Sequence, residues 1–287
     1  MTNTGRYRRI VAWVDGSYEA THAADWAARH AAARSMPLHV LYIPRLAVAA
    51  GVGHAPSSAH DVYSDVDQDA SDTVRFAEDI RRLRAGHEGL SVSEQVIRHG
   101  CHRPERELLD RDDILVTSPA GYLELVGQTE LEEHVAARVP VPVVFVPDRV
   151  ASGTSEQRVL LLTGPRFFAT AASFAFAAAA DLGMAMDVVR LPATYDGDYY
   201  HLDTEPAPHA LEPRLRAELA KLQARFPGVP CDIHVLRARP WSALRAMTSA
   251  AHLAVLGVGA GCGVDVRAMY DLGTCPVAAV PNRHDAS

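Results

Sequence analysis

Apolar and polar positions along the chain follow two periods, and the two alternate. Short segments at Arg9 to Val14 (RIVAWV), Leu38 to Ile43 (LHVLYI), Leu90 to Ile97, Ile114 to Thr117 and Val141 to Val146, most of them nearly continuous apolar runs, predict five strands in the first half. Runs of this kind fit strands buried on both faces of a parallel sheet. Helices are predicted over Ser17 to Ser35, over Asp67 to Ala85, from Pro104 onward for a short stretch, and near Glu130 to Arg138. In the first of these, Ala20, Ala23, Ala24, Ala27 and Ala31 recur at the helical period, and Ser17 stands where an N-cap is wanted. Strand and helix in alternation predict an α/β fold, a parallel sheet with helices on both faces.

The second half replays this order. Arg158 to Thr163 (RVLLLT) answers RIVAWV, Met186 to Leu191 (MDVVRL) answers LHVLYI, and Arg239-Pro240 answers Arg103-Pro104. Leu253 to Val258 answers Ile114 to Ser118, and CPVAAVP at Cys275 to Pro281 answers VPVVFVP at Val141 to Pro147. A duplicated domain explains this order better than chance does. The 287 residues suit two domains of about 150 residues each. The expected organisation is residues 1–147, a polar linker at 148–157 (DRVASGTSEQ), and residues 158–287.

Charge and composition then narrow the chemistry. With 28 basic against 35 acidic residues the net charge is −7, which argues against nucleic acid as a partner. Lys221 is the single lysine, and the arginine and alanine skew suggests a GC-rich bacterial genome. Cys101, Cys231, Cys262 and Cys275 show no close paired spacing and read as reduced thiols. The apolar run after the basic N-terminus stops at Asp15, and the longest apolar stretch, Phe167 to Ala180, is shorter than the ~18 residues a spanning helix needs. A cytoplasmic protein, neither exported nor membrane-spanning, is expected.

Few residues announce chemistry. Asp15, after an apolar strand and before a helix, reads equally as a nucleotide ligand or as a helix cap. A phospho-acceptor role fits less well, because Ser17 stands where a second aspartate would be wanted and the only lysine lies in a helix. The glycine run GVGAGCG from Gly257 to Gly263 misplaces the third glycine of a dinucleotide fingerprint and reads as a strand-to-helix loop. His99, Cys101 and His102 have no second ligand cluster at zinc-like spacing. The acidic loop Tyr195 to Glu205 lacks the full ladder of a calcium loop, and no nucleophile elbow is present. No metal site and no catalytic residue are assigned.

Taken together, the strand ending in Asp15-Gly16-Ser17, the helix with Ala24-Asp25-Trp26-Ala27-Ala28, the LHVLYI strand, Gly100 with Pro104 and Glu105, and the closing Pro142-Val143-Val144 strand resemble the universal stress protein family. The second half resembles a worn copy of the same domain. The resemblance implies two tandem Rossmann-like domains of the adenine nucleotide alpha hydrolase type, each a five-stranded parallel sheet. It also implies ATP, or another adenine nucleotide, at the carboxyl ends of the strands. Carried onto this chain, the adenine side falls to Val14, Asp15 and Ile43, and the phosphate loop to Ser118, Gly121, Gly127 and Gln128. That loop departs from the family pattern: serine replaces the first glycine, Gly127 comes early, and Gln128 replaces a hydroxyl. The second copy has Gly164 or Pro165 where the aspartate belongs, and its degenerate pocket at Thr163 and Gly164 keeps loop glycines Gly257, Gly259 and Gly261 without the distal glycine and hydroxyl.

The resulting expectation is a stress-response or regulatory protein without a turnover site, acting as a protein-interaction scaffold with at most weak adenine nucleotide binding in the first domain. The alternative is an ATP- or AMP-sensing module, and slow ATP hydrolysis is a third reading. The resemblance further implies that the last strands of the two domains pair within one molecule. The helix Phe168 to Leu182, apolar nearly all round with Phe174 and Phe176 on different faces, is expected to add a homodimer interface.

Overall fold

The computed structural model describes residues 7–43, 74–97, 108–120, 122, 139, 141–148, 158–164, 167–191, 208–236, 241–259 and 275–282. They divide into two compact units, each built on five parallel strands.

The first unit contains β1 (Arg9–Val14), α1 (Tyr18–Ala33), β2 (Leu38–Tyr42), a helix over 74–86 (α2), β3 (Val92–Val96), β4 (Asp113–Thr117) and β5 (Val143–Phe145). Its strand order is β3-β2-β1-β4-β5, every pair parallel. β1 is central, and all of it after Arg9 is buried, as the continuous apolar run predicts. The polar residues Ser93, Glu94 and Gln95 place β3 at the edge. The alanine stripe of α1 is buried, and Ser17 caps the helix, its Oγ accepting from the Ala20 N–H at 3.1 Å.

α2 buries Phe76, Ile80 and Leu83, with the Phe76 ring stacked on Tyr42 at 5.0 Å. A polar seam ties it to α1: Arg82 reaches Asp25 at 2.6 Å, and Thr21 Oγ1 donates to Asp79 at 3.2 Å. The predicted elements near Pro104 and over 130–138, and the His99 to His102 cluster, lie outside the described residues.

The second unit contains β6 (Arg158–Thr163), α3 (Ala169–Leu182), β7 (Ala185–Arg190), α4 (Pro208–Arg225), β8 (Cys231–Val235), α5 (Trp241–Ala250), β9 (Ala251–Val258) and β10 (Val277–Pro281). Its order is β10-β9-β6-β7-β8, again all parallel. β6 takes the place of β1, β7 that of β2, and β9 that of β4.

Two expectations need correcting. Gly257 belongs to β9 and not to a strand-to-helix loop. The surplus apolar face of α3 is covered inside its own unit: Phe174 and Phe176 are 2% and 0% exposed, and Phe176 stacks on Phe226 at 5.9 Å. The argument for a homodimer through these two residues therefore loses its premise. The acidic loop at 195–205 lies outside the described residues, as does most of the linker.

Candidate functional site

In an open α/β sheet the ligand crevice lies at the carboxyl ends of the strands, where the strand order reverses. In the first unit that point lies between β1 and β4. β1 ends at Val14 and the chain turns through Asp15-Gly16-Ser17, with Gly16 at φ +87°, a backbone region that strains any other residue. The half-buried Asp15 accepts at Oδ1 from the Ser17 N–H at 2.9 Å and from the Ser17 hydroxyl at 2.5 Å. Ser17 in turn caps α1. Asp15 thus supports the cap through Ser17, close to a helix N-terminus whose dipole favours a negative charge.

Val14 and Ile43 meet directly, since the Ile43 N–H donates to the Val14 carbonyl at 2.9 Å. What Ile43 can offer a ligand is therefore its carbonyl. Ser118 follows β4 two residues beyond the Ala12 and Val116 pair, which sets it level with Val14. Its carbonyl accepts from Tyr122 N–H at 3.1 Å and from Thr117 Oγ1 at 3.2 Å, and Ser118 is fully buried. Gly121, Gly127 and Gln128 lie outside the described residues. Tyr122 is buried, its ring edge-on to Trp13 at 6.4 Å and to Phe145 at 5.3 Å. The structure thus brings together Val14, Asp15, Ile43 and Ser118 among the expected site residues.

The second unit repeats the brace: the Leu191 N–H donates to the Thr163 carbonyl at 2.8 Å. The rest differs. Thr163 Oγ1 turns back to the Gly164 carbonyl at 3.4 Å, and Gly164 is buried. Phe168 occupies the N-cap position of α3, where α1 has Ser17, and makes no side-chain cap. Its ring lies on Gly257, the counterpart of Ser118. A Cβ at Gly257 would stand 2.5 Å from Phe168 Cγ and 2.6 Å from Cβ and Cδ2, so the strand needs glycine for this contact. Phe168 is 6% exposed. Gly259, at φ +142°, follows β9, and Gly261 lies outside the described residues.

Sequence reasoning missed Phe168. The available signal was a glycine inside an apolar strand run, which often marks the close approach of another group.

The two described thiols, Cys231 and Cys275, are poorly suited to chemistry. Burial and the nearby Asp232 and Asp187 push Cys231 up to about 11, and burial pushes Cys275 up to about 12. Among the described residues no group of three or more His, Cys, Asp or Glu could hold a metal ion, and no helix is long and apolar enough to cross a membrane.

Residues 6–147 match the family model described as the universal stress protein family. A universal stress protein of Mycobacterium tuberculosis is 25% identical over 273 residues, covering 90% of this chain and 89% of that one. A second from the same organism is 29% identical over 133 residues, 46% of this chain and 41% of that one. The crystal structure of a universal stress protein from Archaeoglobus fulgidus has the same fold, with a TM-score of 0.60 at 14% identity over 96% of this chain and 98% of that one.

Proposed function

The chain belongs to the universal stress protein family through residues 6–147, and from that premise we propose a cytosolic, non-catalytic regulatory protein in which only the first unit takes a ligand. The ligand is an adenine nucleotide, ATP or a relative, held weakly by the Val14 backbone, the Asp15 carboxylate and the Ile43 carbonyl. The segment opened by Ser118, with Gly121, Gly127 and Gln128, contributes to its phosphates. The second unit serves as a scaffold for protein recognition, and its vestigial pocket at Thr163, Gly164, Gly257, Gly259 and Gly261 stays unused.

The observation that carries this reading is the Phe168 ring lying on Gly257. A glycine at the mouth of a crevice lets a ligand approach the backbone, and here that approach is taken by the chain's own aromatic side chain. The second reading, a nucleotide sensor, draws on the assembly of Val14, Asp15 and Ile43 at adjacent strand ends.

Mass spectrometry of small molecules released from the purified protein tests the proposal. At most one adenine nucleotide per chain is expected, and none from Asp15→Ala. Two per chain would overturn it, and a protein empty even after incubation with millimolar ATP would leave the scaffold role alone.

A further inference from the structure

Among the described strands, β8 is the outermost of the second unit and pairs only with β7. The Met186 N–H donates to the Pro230 carbonyl at 2.8 Å and the Leu236 N–H to the Arg190 carbonyl at 3.0 Å. In a parallel pair this register turns the backbone groups of Asp232 and His234 toward β7. Those of Cys231, Ile233 and Val235 point to the open edge. Such an edge is a template for another strand unless it is blunted.

The equivalent edge of the first unit is blunted. Arg84 Nη2 donates to the Val92 carbonyl at 3.0 Å and pairs with Glu94 at 2.9 Å. Glu94, the middle outward residue of β3, would also face its own copy in a symmetric pairing centred on the strand. In β8 the three outward residues are Cys231, Ile233 and Val235, and none is charged. Gln223, in the place of Arg84, engages the Cys231 thiol.

We propose that β8 is a homodimer surface, pairing antiparallel with β8 of a second copy about a two-fold axis at Ile233. Ile233 then faces the partner's Ile233, and Cys231 faces the partner's Val235, as hydrogen-bonded pairs with roughly six backbone bonds in all. Asp232 faces the partner's His234 as a non-hydrogen-bonded pair, the arrangement that brings side chains closest.

Both residues are available for this contact, their side chains being 65% and 43% exposed. Each is already steadied within its own chain, Asp232 by Arg158 at 2.6 Å and His234 by Asp187 at 3.1 Å. The single two-fold axis generates this pair twice, so two carboxylate–imidazole contacts form. Neighbouring registers are worse: an axis at Asp232 sets carboxylate against carboxylate, and one at His234 sets imidazole against imidazole. The strand is therefore complementary to itself in one register, which favours a second copy over an unrelated extended segment.

Analytical ultracentrifugation of the full chain from about 1 to 100 µM tests the proposal. The wild type is expected to reach a mass about twice 31.0 kDa. Ile233→Pro removes an outward N–H while leaving the β7 pairing intact, and should weaken the dimer at least about tenfold without changing circular dichroism. A second measurement needs no variant. Amide hydrogen exchange should slow with rising protein concentration at Cys231, Ile233 and Val235, whose amides face the edge, and stay constant at Asp232 and His234. A monomer throughout, or a dimer whose edge amides do not gain protection, would overturn the assignment. Protection that appears only when another protein is added would give the edge to a different partner and overturn it as well.

Discussion

Arg9 and Arg158 hold the same place, the first residue of the central strand, and reach in opposite directions. Arg9 turns to β4 and grips the buried Asp113 through Nε at 2.9 Å and Nη2 at 2.5 Å. Arg158 turns to β7 and grips Asp187 through Nε and Nη2, both at 2.7 Å. In each case the hydrogen bonds that the guanidinium donates to the carboxylate raise its pKa above the usual value. The acid has changed sides: His39 stands in β2 where Asp187 stands in β7, and β9 opens with Ala251 where β4 opens with Asp113.

At the opposite ends of the strands the contrast is wider. The first unit ends β1 in a polar turn built on Asp15 and Ser17, and the second fills that region with Phe168. The sheet order, the opening arginine and the backbone brace between the first two strands are common to both units. The residues at the carboxyl ends of the strands differ.

Breaking the filled end should have the largest effect. Phe168→Ala leaves a void against Gly257 and should destabilise the protein by about 3–5 kcal/mol in denaturant unfolding. Gly257→Ala should cost about 1–3 kcal/mol by overpacking the same contact. The double variant should cost less than the sum, because both changes act on one contact. Strict additivity would separate the ring from the glycine and remove the contrast between the two ends.

The two arginine clamps should differ in a measurable way. Asp113→Ala leaves Arg9 facing a site where Asp113 was 3% exposed, and Asp110, its remaining acidic neighbour at 3.5 Å, is in solvent. A loss of about 3 kcal/mol is expected. Asp187→Ala leaves Arg158 with Asp232, and should cost about 1 kcal/mol in the same assay. Equal losses would mean that the side from which the acid comes is immaterial.

Most of the frame was legible in the sequence. The bounds of β1 and β6 match the expected ones, because an apolar run between charged or polar residues defines a buried strand at both ends. β4 begins one residue earlier than expected, at Asp113, since a buried carboxylate is invisible to a pattern of apolar residues until its arginine partner is known. β5 is shorter than expected, starting at Val143 after a proline that has no N–H to give. Of the candidate site, the placement of Val14, Asp15 and Ile43 at or just beyond strand ends was legible. The contact of Phe168 with Gly257 was not legible, because it joins residues about ninety positions apart in the chain.

Smaller effects sharpen the comparison at Ser17 and His39. Ser17→Ala removes a cap that α3 does without, and should cost about 1 kcal/mol in thermal unfolding. His39 has its pKa lowered, chiefly by burial and then by Arg9, against a weaker opposing pull from Gln95 and Asp113. Its neutral form is favoured in the folded chain, so this contribution is complete above the unfolded value near 6.5 and is lost as pH falls through the lower folded value. Stability measured from pH 7.5 down to 5 should therefore decline less steeply in His39→Gln. An unchanged slope would assign the decline to other groups.

Calorimetric titration of the full chain with ATP, beside Asp15→Ala, tests the central claim most directly. One weak site per chain is predicted, with Kd above about 1 µM and affinity at least about tenfold lower in the variant. Two sites per chain, or one site indifferent to Asp15→Ala, would contradict a protein whose first unit alone is open to a ligand.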